Sequence, residues 1–298
     1  MSALRSLLFV PADSERKLAK AAGTGADALI LDLEDSVTPA RKALARGLAA
    51  EYLKARGDHT GVWVRLSDRR SGELLKDLAA VVPARPNGIV LPKIHGPEDI
   101  EAVDHYLEAL EVSHGCESGG IALLALVTET PAAVLRMPEL LSLRCVRLQA
   151  ISWGAEDLST VLGAADPRTS VGAWRPTYEY ARIQCLLAAH ALAIGAIDSV
   201  YVDFRDSLGL RAACEASRHD GFSGRLAIHP DQVPIINAAY TPSEAERRLA
   251  QRIVDAFSAG AGTVSLDGKM YDLPHLKAAQ RLLRATGAGG TGSQETRT

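Results

Sequence analysis

The stretch Ala28-Leu29-Ile30-Leu31-Asp32-Leu33-Glu34-Asp35 decides the fold class. Its first four residues are apolar without a break, whereas a strand with one wet face would alternate. A continuous apolar run of this length fits a parallel strand buried on both faces. The same form returns in Ile121-Ala122-Leu123-Leu124-Ala125-Leu126-Val127. Working outward from these two runs gives eight candidate strands, at residues 6–10, 28–33, 62–66, 88–92, 121–128, 147–153, 199–203 and 225–228. Helical patterns rich in Ala, Leu, Arg and Glu fall near 15–22, 39–55, 72–81, 97–110, 132–141, 177–193, 207–218 and 231–238. Pro39, Pro97 and Pro131 sit where a helix can begin without losing a needed N–H. Eight strand–helix alternations predict an α/β fold of the (β/α)8 TIM-barrel type rather than an open doubly wound sheet. The first strand runs into Phe9-Val10-Pro11-Ala12-Asp13, without the glycines of a dinucleotide fingerprint.

The expected organisation is a TIM-barrel catalytic domain over residues 1–240, a C-terminal helix and lid segment over 241–285, and a disordered tail over 286–298. The lid segment reads as a helix at 242–259 followed by a glycine-containing hairpin and helix at 263–285, and residues 163–176 form a long polar connection after the sixth strand. Of the 298 residues 47% are hydrophobic, enough for a large core, which excludes a disordered chain. A net charge of −3 without a basic block speaks against nucleic acid or an anionic membrane as partner. Cys116, Cys145, Cys185 and Cys214 show no CxxC pairing and read as small buried apolar residues. The apolar run at 7–10 is too short for a secretory signal or a membrane span, so the expected location is the cytoplasm.

Barrel chemistry gathers where strands end at the carboxyl face. The strand ends carry Asp32, Glu34, Asp35, Arg65, Lys93, Glu129, Asp157, Asp203 and His229. Nearby carboxylates repel unless a proton or cation intervenes, and two of them with open positions for water and substrate oxygens describe a Mg²⁺ site. Salt bridges that close barrel loops are the competing reading of any one acid. Asp32 and Asp203 are the weakest candidates, and His229, followed by Pro230, reads as a structural histidine. Neither a nucleophile elbow nor a P-loop is present.

Several stretches together resemble a known family: Leu8-Phe9-Val10-Pro11-Ala12, Leu31-Asp32-Leu33-Glu34-Asp35, Val64-Arg65-Leu66, Leu91-Pro92-Lys93, Glu129-Thr130 and Trp153-Gly154-Ala155-Glu156-Asp157-Leu158. Gly221-Phe222-Ser223-Gly224, Ile228-His229-Pro230-Asp231-Gln232 and Asp267-Gly268-Lys269-Met270-Tyr271-Asp272 continue the series. In this order they resemble the citrate lyase beta-subunit-like branch of the HpcH/HpaI aldolase family. The resemblance implies a Mg²⁺-dependent barrel enzyme that makes or breaks a carbon–carbon bond in a hydroxyacyl thioester. It implies Glu129 and Asp157 as metal ligands, Arg65 as the catalytic substrate contact beside Glu129, and Asp272 as a lid carboxylate that reaches a neighbouring subunit's site. Glu34 and Asp35 are expected to orient Arg65 and metal-bound water.

Many relatives carry Asn where this chain has Ser67, and many carry Arg where it has Ser14. The second departure leaves Lys20, Arg41 and Lys42 as the basic candidates for coenzyme A. Glu129 is followed by Thr130-Pro131, where relatives often have Thr-Ala. The partners implied are an acyl-CoA and a 2-oxo acid, in a homotrimer or larger assembly. Malyl-CoA or citramalyl-CoA cleavage leads. A citrate lyase subunit acting on an acyl carrier protein, a thioesterase and a silent keto-acid-binding protein remain as alternatives.

Overall fold

A computed structural model describes residues 4–56, 61–170, 172–258, 260 and 262–285. The expected tail at 286–298 lies outside the described residues. The eight strands are β1 (Ser6–Pro11), β2 (Ala28–Asp32), β3 (Gly61–Arg65), β4 (Gly88–Leu91), β5 (Ala122–Leu126), β6 (Leu148–Ser152), β7 (Gly195–Asp198) and β8 (Gly224–Ala227). Each pairs in parallel with the next, and β8 returns to β1 to close the barrel. The intervening helices are α1 (Glu15–Ala21), α2 (Lys42–Ala55), α3 (Leu74–Val81), α4 (Pro97–Ser113), α5 (Pro131–Leu135), α6 (Ala155–Leu162), α7 (Pro176–Ala191), α8 (Ser207–Asp220) and α9 (Gln232–Tyr240). Among the described residues, no helix is long and apolar enough to cross a membrane.

Every residue of β2, β4, β5 and β8 is buried; the apolar runs of the first three require it, while in β8 the charge of Arg225 is met by Asp198. Alternate positions such as Ala28 and Ile30, or Leu124 and Leu126, join Leu7, Trp63, Val90 and Ile197 in one cluster. Trp63 fills the space beside Gly88, where a Cβ would stand 2.3 Å from its ring. Just before β6, Arg147 pairs with Asp104 and with the fully buried Glu111, at 2.6 Å each. Glu111 also accepts from the backbone N–H groups of Gly119 and Ile121. Removing one member of such a buried pair costs about 3–5 kcal/mol, because the other charge is left uncompensated.

Three expectations are corrected, the third being that all four cysteines are buried. The seventh strand is β7 at Gly195–Asp198, not residues 199–203. The Asp198 carboxylate turns back to accept from the Ser199 N–H, and the following Tyr201, Val202 and Asp203 rise to the half-buried or exposed surface. The expected helix at 132–141 is split into α5 and a 3₁₀ turn over Met137–Ser142. Pro138 explains the break, since it has no N–H to continue the α-helical ladder. Cys185 and Cys214 are buried, Cys116 and Cys145 are half-buried, and all four are free.

The chain forms two compact units, Leu4–Asn237 and a C-terminal one that begins at Ala238. In the second, α10 (Glu244–Phe257) starts at a capping box in which Ser243 and Glu246 satisfy each other's backbone N–H. Strands β9 (Thr263–Leu266) and β10 (Lys269–Asp272) pair antiparallel around Asp267 and Gly268, both at positive φ, the backbone that a two-residue hairpin turn demands. Helix α11 (Leu273–Ala285) packs on α10 through Ala250, Ile253, Phe257, Ala279 and Leu283.

Candidate active site

The carboxyl ends of the strands surround a small pocket lined by Phe9, Arg65, Leu126, Glu129, Trp153, Gly154, Glu156, Asp157, Ser199, Val200 and Leu226. Arg65 ends β3 and stands directly opposite Asp32 in the β2–β3 ladder. That register makes a two-point contact, with Nε and Nη2 each donating to Asp32 at 2.7 Å. The remaining Nη1 lies 3.1 Å from Glu34, and the guanidinium stacks 4.7 Å over the Phe9 ring. Burial alone would raise the Asp32 pKa, but the charge and hydrogen bonds of Arg65 outweigh it and hold the carboxyl below its usual range. Asp32, a weak candidate in the sequence, is therefore the anchor of Arg65.

Lys93 adopts φ 49°, a left-handed conformation that costs a non-glycine residue on the order of 1 kcal/mol. The bend turns its N–H onto Glu129 Oε2 at 2.6 Å. Its ammonium reaches Glu34 at 2.9 Å, Asp35 at 2.8 Å and Asp157 at 3.3 Å. Burial would lower the Lys93 pKa, yet these carboxylates raise it, so the group is charged at every physiological pH.

Glu129 is 3% exposed and packs against Gly154, whose N–H is held by Thr128 Oγ1 at 3.0 Å. Burial, then the charges of Asp157 and Glu34, push its pKa well above the ordinary value. Asp157 lies in the first turn of α6, where the helix dipole favours a negative charge. Burial pushes the Glu34 carboxyl up to about 7, and neighbouring Asp35 adds to the shift against the pull of Arg65 and Lys93. The Glu34 oxygens are within ion-pair distance of both cations but lack hydrogen-bond geometry to them. The barrel end thus sets Asp32, Glu34, Asp35, Glu129 and Asp157 against Arg65 and Lys93, leaving negative charge in excess.

The remaining candidates fall elsewhere. Lys20 is exposed in the last turn of α1, and Arg41 is paired with Asp13 at 2.6 Å. Lys42 donates to the carbonyls of Leu33 and Glu34 and to Ser67 Oγ, so it braces the loop that carries Glu34. Asp203 lies in the loop beyond β7, and the His229 ring stacks on Phe204. In the C-terminal unit Asp272 directly precedes α11, and its side chain meets His275 Nδ1. That hydrogen bond holds the Asp272 carboxyl below its usual range.

One contributor escaped the sequence reading. Asp198 is buried, accepts from Trp153 Nε1 at 2.6 Å and pairs with Arg225, fixing a wall of the pocket. Its signal was the short buried-type run Gly195-Ala196-Ile197-Asp198, overlooked beside the β-branched residues that follow. Lys93 was visible as a strand end, but its left-handed backbone has no sequence signature.

The fold and this rim define an α/β-barrel enzyme class. Residues 5–230 match the model of the HpcH/HpaI aldolase/citrate lyase family, and the chain belongs to that family. A (3S)-malyl-CoA thioesterase from Cereibacter sphaeroides is 35% identical over 287 residues, spanning 94% of this chain and 93% of the relative. The mitochondrial citramalyl-CoA lyase of Rattus norvegicus is 30% identical over 299 residues, with 94% and 85% covered. The crystal structure of CitE from Mycobacterium tuberculosis with magnesium, acetoacetate and coenzyme A superposes with a TM-score of 0.79 at 30% identity, covering 96% of this chain and 98% of that one.

Proposed function

We propose that this chain is a Mg²⁺-dependent carbon–carbon lyase. It cleaves a β-hydroxyacyl-CoA such as malyl-CoA or citramalyl-CoA to acetyl-CoA and a 2-oxo acid, or forms it by Claisen condensation. The observation that carries the reading is the presence of Arg65, Glu129 and Asp157 in the walls of one pocket. The CitE relative, which binds magnesium, acetoacetate and coenzyme A together, supports it.

The donor set fits the metal. Glu129 and Asp157 are hard oxygen ligands, and their mutual repulsion is relieved by a divalent cation. Among the described residues there is no group of three or more His, Cys, Asp and Glu suited to a metal, so water and substrate would complete the coordination. Bound by Glu129 and Asp157, Mg²⁺ supplies Lewis acidity and a template for the keto-acid oxygens. Arg65 presents Nη1 to negative charge developing on the thioester as the carbon–carbon bond breaks. Asp32 keeps that guanidinium rigid, while Glu34 and Asp35 steady Arg65 and Lys93. Asp272, ionised at neutral pH, is assigned to the site of a neighbouring subunit as the base that takes the methyl proton of acetyl-CoA in condensation. In cleavage the proton given up by the β-hydroxyl passes to this carboxylate and from it to the carbon that becomes the methyl group. Lys20 and Arg41 are assigned to the coenzyme A phosphates, and the working form to a homotrimer or larger assembly.

The thioesterase relative favours a second outcome in the same pocket, with water attacking the thioester. Mass spectrometry of malyl-CoA and citramalyl-CoA incubated with the protein and Mg²⁺ separates the readings. Acetyl-CoA plus a 2-oxo acid supports the lyase, and free CoA plus the intact hydroxy acid supports the thioesterase. Turnover confined to an acyl-carrier-protein thioester supports a citrate lyase subunit. Silence with every thioester, despite 2-oxo-acid binding, overturns the enzymatic reading.

A further inference from the structure

Lys93 touches both carboxylates assigned to the metal, and it does so in two different ways. Its neutral backbone N–H holds Glu129 at 2.6 Å, whereas its charged Nζ lies 3.3 Å from Asp157. The same ammonium has a second anchorage, at 2.9 Å from Glu34 and 2.8 Å from Asp35. The other nearby cation, Arg65, is committed to Asp32 through two nitrogens. Among the described residues Lys93 is thus the cation paired with Asp157, and it has somewhere to go when Asp157 is claimed by another.

We propose that Lys93 is a built-in counter-cation of the metal site, which compensates Asp157 in the metal-free protein and yields it when a divalent ion binds. The ammonium then withdraws onto Glu34 and Asp35. Two positive charges a few ångströms apart repel, so Lys93 weakens the divalent ion's hold while it keeps the empty carboxylate cluster from flying apart. The inference rests on the assignment of Glu129 and Asp157 as ligands.

The test is calorimetric titration of Mg²⁺ into the whole protein, comparing wild type with Lys93→Met, Lys93→Asn and Lys93→Arg. Both neutral variants keep the backbone N–H that orients Glu129. Asn also tolerates the left-handed backbone, so it carries the test if the Met variant folds poorly. The expected result is Mg²⁺ affinity about tenfold or more tighter in Met and Asn, with the charge-retaining Arg variant close to wild type. Thermal melts in chelator should show the neutral variants less stable than wild type, and Mg²⁺ should restore them by a larger increment. A purely structural lysine lowers the melting temperature without raising metal affinity. Mg²⁺ affinity unchanged or weaker in the folded neutral variants, while wild type binds the ion, overturns the inference alone. Failure of wild type and all variants to bind Mg²⁺ overturns the metal assignment and the inference together.

Discussion

Replacing Glu34 by Gln keeps the shape of the side chain and removes its charge. Glu34 is 5% exposed, and burial together with the charge of Asp35 pushes its pKa up to about 7 despite Arg65 and Lys93. An unfolded chain titrates the same group at its ordinary value of 4.5. Between these two values the folded protein binds the proton more tightly than the unfolded chain does. Glu34 therefore favours folding in acid, and that contribution is lost as the pH climbs through about 7. At about 1.4 kcal/mol per pH unit, the ionised carboxylate costs the fold about 3 kcal/mol relative to the protonated one. Gln imitates the protonated form at every pH. Urea unfolding of the metal-free protein, from about pH 4 to about pH 8, should show the two proteins equally stable at the acid end. At the alkaline end the Gln variant should be more stable by about 2–3 kcal/mol. Parallel profiles across that range, or a less stable Gln variant at the alkaline end, would refute the burial argument.

Three further outcomes are expected. Gly154→Ala places a Cβ 2.7 Å from Glu129 Cγ and 3.0 Å from its Oε1, so it should displace the carboxylate. Calorimetry should then show Mg²⁺ affinity down by about tenfold or more, as when a ligand's supporting contacts are disturbed. Glu129→Gln and Asp157→Asn should each weaken Mg²⁺ binding by at least that much, and unchanged affinity in both removes them as ligands. Asp272 directly precedes α11, at the N-cap position, and Asn caps a helix as well as Asp does, so Asp272→Asn separates capping from catalysis. A catalytic Asp272 predicts an unchanged melting temperature with turnover reduced by about 10²–10⁴-fold in the thioester assay, whereas near-normal turnover leaves it as a cap for α11.

The barrel was legible because burial on both faces writes itself into composition. Runs such as Ala28-Leu29-Ile30-Leu31 can be satisfied only between neighbours on each side, and eight candidate strands alternating with helices leave little besides closure. The seventh strand was misplaced because Gly195-Ala196-Ile197-Asp198 is short and weakly β-forming, and the β-branched residues after it advertise a strand that the closed ladder has no room for. Strand ends also brought Arg65, Glu129 and Asp157 into view, since position along the chain fixes which residues reach the rim. Their energetics lay beyond the sequence. Asp32 and Arg65 face each other because of cross-strand register, and register depends on how all eight strands close. The elevated Glu34 carboxyl and the Lys93 bridge between Glu129 and Asp157 depend on distances between residues far apart in the chain and on how much water the fold removes around them. Local pattern determined which groups arrive at the carboxyl end of this barrel. Tertiary packing decided which of them are charged, which are braced and which carboxylate the lysine meets, because Coulomb energy and desolvation depend on three-dimensional separation and burial.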